Sequence, residues 1–374
     1  MKTSLSFGAL RRRSAAWRQS GREILRLVVD PKLSRSYFPS EKRKSKLQIF
    51  VDLLVWFFRY GEVNTFYYVY GFDRESGVDF SHYMPYCNFR RIRDSQNLKS
   101  KGGHRYNYVC ILRDKLVFSQ FASSLNFPTP KTIATCDQES ITWLDGLNTV
   151  PLSTLFPASE RRFSGFCKPV TGIRGKGAFP LRLENRKLFI GDDEVTLDQL
   201  RSRLDGQYLI QERIQQHPNM GSLHLSSINT IRLITFNSGG NVVIFSAALR
   251  VGTAGRSVDN WAAGGIVLGI DLGSGRLRTD GLYKPGYGGR VQQHPQTQVI
   301  FSGFEVPYFG EAVALARKFH TFLGGIHSIG WDIAVTEAGP VIVEGNDDWD
   351  GAIPMALESN FKERFLAMYP PLAS

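Results

Sequence analysis

The sequence predicts an α+β protein, and three observations carry that prediction. Strand-like and helical stretches are mixed along the chain without the regular alternation of a single parallel sheet. No internal repeat or low-complexity tract points to a solenoid or a fibrous design. Several strand candidates are bounded by Gly, Asn-Ser-Gly-Gly or Asp-Asp turns. With 374 residues and 42% hydrophobic content, the chain is long enough for two or three subdomains with real cores.

The elements follow in order. Residues 1–46 hold 13 Lys and Arg against Glu23, Asp30 and Glu41, a net +10 out of the whole chain's +12. The basicity therefore belongs to this segment, and a nucleic-acid partner is not expected. Trp17, Ile24, Leu25 and Leu27 recur at helical spacing among Arg18, Arg22 and Arg26, which predicts a basic amphipathic helix suited to an anionic membrane surface or an acidic protein. A solvated helix packed on its own domain is the plainer reading. LQIFVDLLVWFF (47–58) is too short to span a bilayer and reads as a buried helix or strand within an N-terminal α/β region, 47–112.

A helix is expected from Asp114 through DKLVFSQFASSL, ending before Pro128 and Pro130. Strands are expected at KTIAT, FSGFCKPV, KLFIG, YLIQERI, INTIRLITF and NVVIFSAALRVG, and a helix from Gly310 to Leu323. The chain divides into subdomains at 113–207 and 208–374. Cys87, Cys110, Cys136 and Cys167 show no metal or CxxC spacing, which suits free thiols in a reducing compartment. The first residues lack a long apolar core, so no secretory signal is expected. The expected location is the cytoplasm, including the inner face of its membrane.

Four stretches carry chemistry. FCKPVTGIRGKGAFP (166–180) sets Lys168 ahead of Gly172, Gly175 and Gly177, with Arg174 and Lys176 between them. Glycines let backbone amides approach an anion, and cations beside them suit a polyphosphate, although a mobile surface turn has the same composition. YLIQERI offers a strand edge at Gln211, Glu212 and Ile214 for an adenine, or simply an amphipathic strand. Arg232 and Arg250 sit in apolar strands, where each requires an anion, either a ligand or one of the protein's own acids.

The fourth stretch, GWDIAVTEAGPVIVEGNDDWDG (330–351), reads as a hairpin. Centred on Ala338, it sets Asp332 against Glu344, with Asn346 on the same face. Two carboxylates about 5 Å apart repel by about 3 kcal/mol at an effective dielectric near 20. A hard divalent cation would offset this, since carboxylate and amide oxygens are Mg²⁺ ligands. A solvated hairpin end whose acids never meet is the alternative.

In this order, Asp114-Lys115, the prolyl turn, Lys168-Pro169 with its Gly-rich loop, the hinge strand, the Arg-bearing strands and D…ExN resemble the ATP-grasp superfamily. The likeness is greatest to its sugar-transfer-associated, RimK-like group, through QHP, NTIRLIT, AAGGI, VPY, IGWDIAVT and GPVIVEGN. It covers roughly 110–355. The resemblance implies an ATP-grasp fold, two α+β subdomains clasping ATP. It implies Lys115 and Lys168 on the phosphates, residues 172–177 closing over them, and Gln211, Glu212 and Ile214 beside the adenine. Asp332, Glu344 and Asn346 would hold Mg²⁺, with Mn²⁺ as the alternative ion. Arg250, Asn260 and Arg232 would serve catalysis. Gln211 stands where many relatives carry an acid. The activity implied is a carboxylate–amine ligase working through an acyl phosphate, its substrates a sugar acid and an amino acid in polysaccharide or cell-envelope synthesis. A small-molecule kinase and a noncatalytic nucleotide-binding module are the alternatives.

Overall fold

In the computed structural model, residues 7–98, 108–155, 161–172, 175–253, 255 and 259–369 are described. Helix α1 spans Phe7–Val29 and α2 Lys46–Tyr60, the latter opened by a reciprocal Ser45–Gln48 capping box and closed by Gly61 in the left-handed region. Helices α3 (Tyr86–Asn97), α4 (Val109–Arg113) and α5 (Lys115–Ser124) follow. The 47–112 stretch, expected to mix helix and strand, holds no strand among its described residues. Its aromatic run packs as a turn-rich cluster instead, with Trp56, Phe72, Phe80 and Tyr83 rings in mutual contact.

Strands β1 (Thr132–Cys136), β2 (Ser140–Trp143), β3 (Asn148–Pro151), β4 (Phe163–Pro169), β5 (Phe179–Glu184), β6 (Lys187–Ile190) and β7 (Asp193–Val195) lead to α6 (Leu197–Arg201) and β8 (Tyr208–Glu212). They form one sheet in the order β3-β2-β1-β8-β4-β5-β6-β7. Strand β8 lies between β1 and β4, so the chain changes sheet after Glu212, one strand later than a division at 207/208. Alternate residues Ala134, Cys136, Cys167, Leu181, Tyr208 and Ile210 fill the core on one face of this sheet. Lys168, Leu209 and Gln211 therefore take the other face.

Helix α7 (Pro218–Leu223) opens the second half, followed by β9 (Thr230–Ser238), β10 (Asn241–Val251), β11 (Ile266–Ile270), β12 (Leu277–Tyr283), β13 (Arg290–Val291), α8 (Phe309–Phe322), β14 (Ser328–Thr336) and β15 (Gly339–Asn346). The second sheet runs β13-β12-β11-β10-β9-β14-β15. Its inner strands are buried almost throughout, as a near-continuous apolar sequence requires. Helices α9 (Ala352–Leu357) and α10 (Phe361–Ala367) end the described chain.

The chain divides into two compact units, one made of residues 1–92, 282–291 and 351–374, the other of 93–281 and 292–350. The basic segment is woven into the first unit. Ile24, Leu27, Val28 and Tyr37 are buried, and the Leu27 carbonyl accepts from the Tyr68 hydroxyl at 2.6 Å. Lys42, Arg43 and Lys44 meet Glu75, Asp73 and Asp52 at 2.8, 3.1 and 2.7 Å. Part of the charge read as a partner-binding signal is thus neutralised internally. Helix α2, expected to be buried, is buried on one side only: Ile49, Leu53 and Trp56 face inward while Leu47, Val51, Val55 and Phe58 are exposed. Among the described residues no helix is long and apolar enough to cross a membrane.

Candidate functional site

The hairpin β14–β15 brings Asp332 opposite Glu344, and it does so by a different route from the one a centre at Ala338 implies. The turn is the pair Glu337–Ala338, with Thr336 opposite Gly339 at φ +116°. Next to the turn the ladder pairs Ile333 with Ile342, so Val343 is an extra residue, and this bulge restores the register in which Asp332 faces Glu344 and Gly330 faces Asn346. Asn346 Nδ2 lies 3.3 Å from Glu344 Oε1 and 3.4 Å from the Gly330 carbonyl, which confirms a shared face for the acid and the amide.

Strand β9 lies on the other side of β14 and pairs Arg232 directly with Asp332. The Arg232 Nη2 donates to Asp332 Oδ2 at 3.0 Å. The approach of Nε to Oδ1 is closer, 2.6 Å, but misaligned, so both buried atoms lack a well-formed hydrogen bond. Arg250, on β10, adds a second guanidinium 2.9 Å from Asp332 Oδ2. Burial raises the Asp332 pKa, but the charges of Arg232 and Arg250 outweigh it and leave this carboxyl below the ordinary value. The repulsion expected between the paired acids is therefore offset in part by arginines, and both arginines find the protein's own acids as partners.

Arg250 is also 3.5 Å from Asp259 Oδ2 and donates to the Thr230 hydroxyl from Nε and Nη2, at 3.1 and 2.7 Å. Burial drives the Asp259 carboxyl up, with Arg250 and hydrogen bonds from Thr230 opposing. Asp259 and Thr230 were not singled out in the sequence. The signal was present, since an arginine in an apolar strand calls for a buried acid. Asn260, expected to serve catalysis, accepts from the Ala262 amide through Oδ1 at 2.9 Å and caps the short 3₁₀ turn Trp261–Ala263.

From the first sheet, Lys168 is buried with its ammonium pushed down to about 8 by desolvation, while Glu344 and Asp332 favour its charge and Lys115 opposes it. These couplings place the face of the first sheet that carries Lys168 near the oxygens of the second. Lys115 begins α5, whose cap Asp114 accepts from the Leu116 and Val117 amides, each at 2.9 Å. Its Nζ donates to the Gly172 carbonyl at 2.6 Å, tying the Gly-rich loop to the helix start. Gly175 and Gly177 adopt φ +67° and +77°, which other residues take only under strain, and Lys176 between them is exposed. Arg174 lies outside the described residues.

Gln211 shares the Lys168 face but is buried in a network: its Nε2 reaches Ser119 Oγ, the Pro130 carbonyl and Thr132 Oγ1, each at 3.2 Å. Glu212 alternates to the opposite face, 3.8 Å from Lys131, and Ile214 is half-buried just past the strand. The structure thus gathers Lys115, Lys168 and the loop glycines on one side, Asp332, Glu344, Asn346, Arg232 and Arg250 on the other, and sets Glu212 apart.

The donor set suits a hard divalent cation. Asp332, Glu344 and Asn346 bring carboxylate and amide oxygens to one face, and Asp332 Oδ1 lacks a well-formed hydrogen bond. Among the described residues no group of three or more His, Cys, Asp and Glu side chains could hold a metal. An ion at the hairpin would hence complete its shell with non-protein oxygens, the habit of Mg²⁺ bound with phosphates.

No curated protein matches the chain. Among solved structures it is similar to D-alanyl-alanine synthetase A from Vibrio cholerae, with 11% identity, a TM-score of 0.39, and 69% of this chain and 63% of that one covered. VanG D-Ala:D-Ser ligase from Enterococcus faecalis gives 11%, 0.41, 70% and 62%. Biotin carboxylase from Campylobacter jejuni, solved as a complex with β,γ-ATP, gives 11%, 0.39, 71% and 48%. The chain spans less than two thirds of the length of each of these proteins. The family described as sugar-transfer associated ATP-grasp matches residues 93–368, which contain both sheets and every residue of the site, and the chain belongs to that family and has its α+β ATP-grasp fold.

Proposed function

We propose that the protein is an ADP-forming ligase that joins a carboxylate to an amine. The observation that carries this reading is the opposition of charges between the two sheets. Lys168 is buried on the first sheet within the field of Asp332 and Glu344 on the second. A buried ammonium facing paired oxygens suits a polyanion lying between them with a metal ion on the oxygen side.

In this reading Lys115 and Lys168 hold the phosphates of ATP, and the loop at Gly172–Gly177 keeps water away from them. Gln211 donates from its amide nitrogen to protein partners. Its oxygen is left to accept from the adenine amino group. Mg²⁺, held by Asp332, Glu344 and Asn346, would neutralise charge on the transferring phosphoryl group. Arg232 and Arg250, already beside Asp332, are placed to bind the substrate carboxylate and the acyl phosphate made from it. The carboxylate oxygen takes the γ-phosphoryl group and ADP departs. The amine lone pair then attacks the carbonyl carbon, the C–N bond forms, the bond to the phosphate oxygen breaks, and the amine proton passes to solvent. The family's association with sugar transfer supports a sugar acid as the carboxylate and an amino acid as the amine, in polysaccharide or cell-envelope synthesis.

The test is to incubate the protein with ATP, Mg²⁺ and a panel of sugar acids and amino acids, following phosphate release and product mass. A ligase releases phosphate only when both co-substrates are present and yields an amide. Phosphate ester formed from one co-substrate alone would instead identify a kinase. In the same assay Glu344→Gln is expected to abolish Mg²⁺-dependent turnover while leaving the melting temperature nearly unchanged.

A further inference from the structure

The outward face of α2 is apolar where a solvated helix would be polar. Ile49, Leu53 and Trp56 point into the core, and half a helical turn away Leu47, Val51, Val55 and Phe58 are 72%, 47%, 50% and 68% exposed. Trp17 of α1, itself 57% exposed, meets the Phe57 ring edge-on at 5.4 Å and the Phe58 ring at 6.0 Å, extending the apolar strip onto the neighbouring helix. On α1 the exposed side chains after Trp17 include Arg18, Arg22 and Arg26, with Leu25 and Val29 among them, and Arg59 is exposed at the end of α2. The 1–46 segment that contains α1 carries the net +10 noted above, of which Lys42, Arg43 and Lys44 are paired with acids outside it.

We infer that this α1–α2 face docks the protein on an anionic lipid bilayer. Trp17, Leu47, Val51, Val55 and Phe58 enter the boundary between headgroups and acyl chains, while the arginines meet lipid phosphates and lay their alkyl stems along the surface. The charge of the segment selects the occupant. A second copy paired through this face would bring two sets of exposed arginines, Arg18, Arg22 and Arg26, together, which like-charge repulsion opposes. An acidic protein would satisfy the charge, but the α2 stripe offers no hydrogen-bonding side chain to set a protein partner's register, and a fluid lipid surface needs none.

The experiment is flotation of the full chain with phosphatidylcholine vesicles, with and without phosphatidylglycerol. The protein is expected to float only with the anionic vesicles. The double substitution Val55→Asp, Phe58→Asp is expected to lower partitioning about tenfold or more, and Arg18→Glu, Arg22→Glu to lower it comparably. Raising salt from about 0.1 M to about 0.5 M weakens binding without abolishing it, because the apolar part is not screened. An unchanged melting temperature shows that the variants fold. Absence of binding to anionic vesicles, or binding indifferent to the α2 substitutions, overturns the proposal. So does a concentration-dependent dimer in sedimentation velocity that those substitutions dissolve, or equally tight, substitution-insensitive binding to soluble polyglutamate.

Discussion

Asp332 and Glu344 face each other across one hairpin, yet they make opposite demands on the protein. Asp332 is the shared partner of two buried guanidiniums, so Asp332→Ala leaves both arginines without their common anion. A loss of about 3–5 kcal/mol in chemical denaturation is expected, the cost of stranding buried charge. Glu344 is half-buried, with a weak hydrogen bond from Asn346 and the Asp332 carboxyl beside it, and glutamine keeps a hydrogen-bonding side chain there, so Glu344→Gln is expected to change stability by less than about 1 kcal/mol. The pair was legible in the sequence because strand alternation brings the two acids together. Their cations were legible only as a need, since nothing in the spacing of Arg232 or Arg250 names Asp332 or Asp259. Two histidines outside the site add a pH dependence. His224 bonds Ser227 Oγ at 2.9 Å and His294 the Gly252 carbonyl at 2.9 Å, and burial lowers the pKa of both below the ordinary 6.5. The unfolded chain takes up protons near pH 6.5 that the folded state refuses. These two groups should therefore make thermal stability fall as pH drops through 6.5, with the slope there reduced in a His224→Gln, His294→Gln double variant.

The β14–β15 hairpin separates what periodicity can show from what it cannot. Alternation over GWDIAVT and PVIVEGN identifies both strands, but a bulge leaves no mark on alternation except one surplus residue. The turn position and the extra Val343 were thus invisible, although the facing acids were found. Gly339 is the accessible test of the turn. A Cβ there would meet nothing within 4 Å, so Gly339→Ala isolates the backbone strain of φ +116°. A loss of about 1–2 kcal/mol is expected, measurable as a lowered midpoint in denaturant. Strands β2, β3 and β7 went unread because they are short and lie toward the sheet's two ends, partly exposed, so no apolar run announces them. The helix starting at Asp114 was readable because its cap and the later prolines act locally.

At the scale of the molecule, the sequence suggested consecutive segments, whereas the first unit is assembled from three separated stretches. Composition cannot reveal this, because contacts distant in sequence leave no local signature. Deletion of residues 1–46 removes Ile24, Leu27, Val28 and Tyr37 from that unit's core and the hydrogen bond from Tyr37 to the Tyr283 carbonyl at 2.7 Å. The truncated protein is expected to be insoluble or to melt well below the full chain; a soluble product with an unchanged melting temperature would count against an integral role for the segment.

The interrupted first unit also sets an order of events on the ribosome. The Phe89 ring packs against Phe361 and Phe365, at 5.9 and 5.1 Å between centroids, and Gly351 comes so close that a Cβ there would lie 2.6 Å from it. At typical elongation speeds the later residues emerge about 15–50 s after Phe89. During that interval the nascent chain presents an unfinished aromatic surface, so messages cut short before codon 351 are expected to yield chaperone clients rather than a smaller working protein.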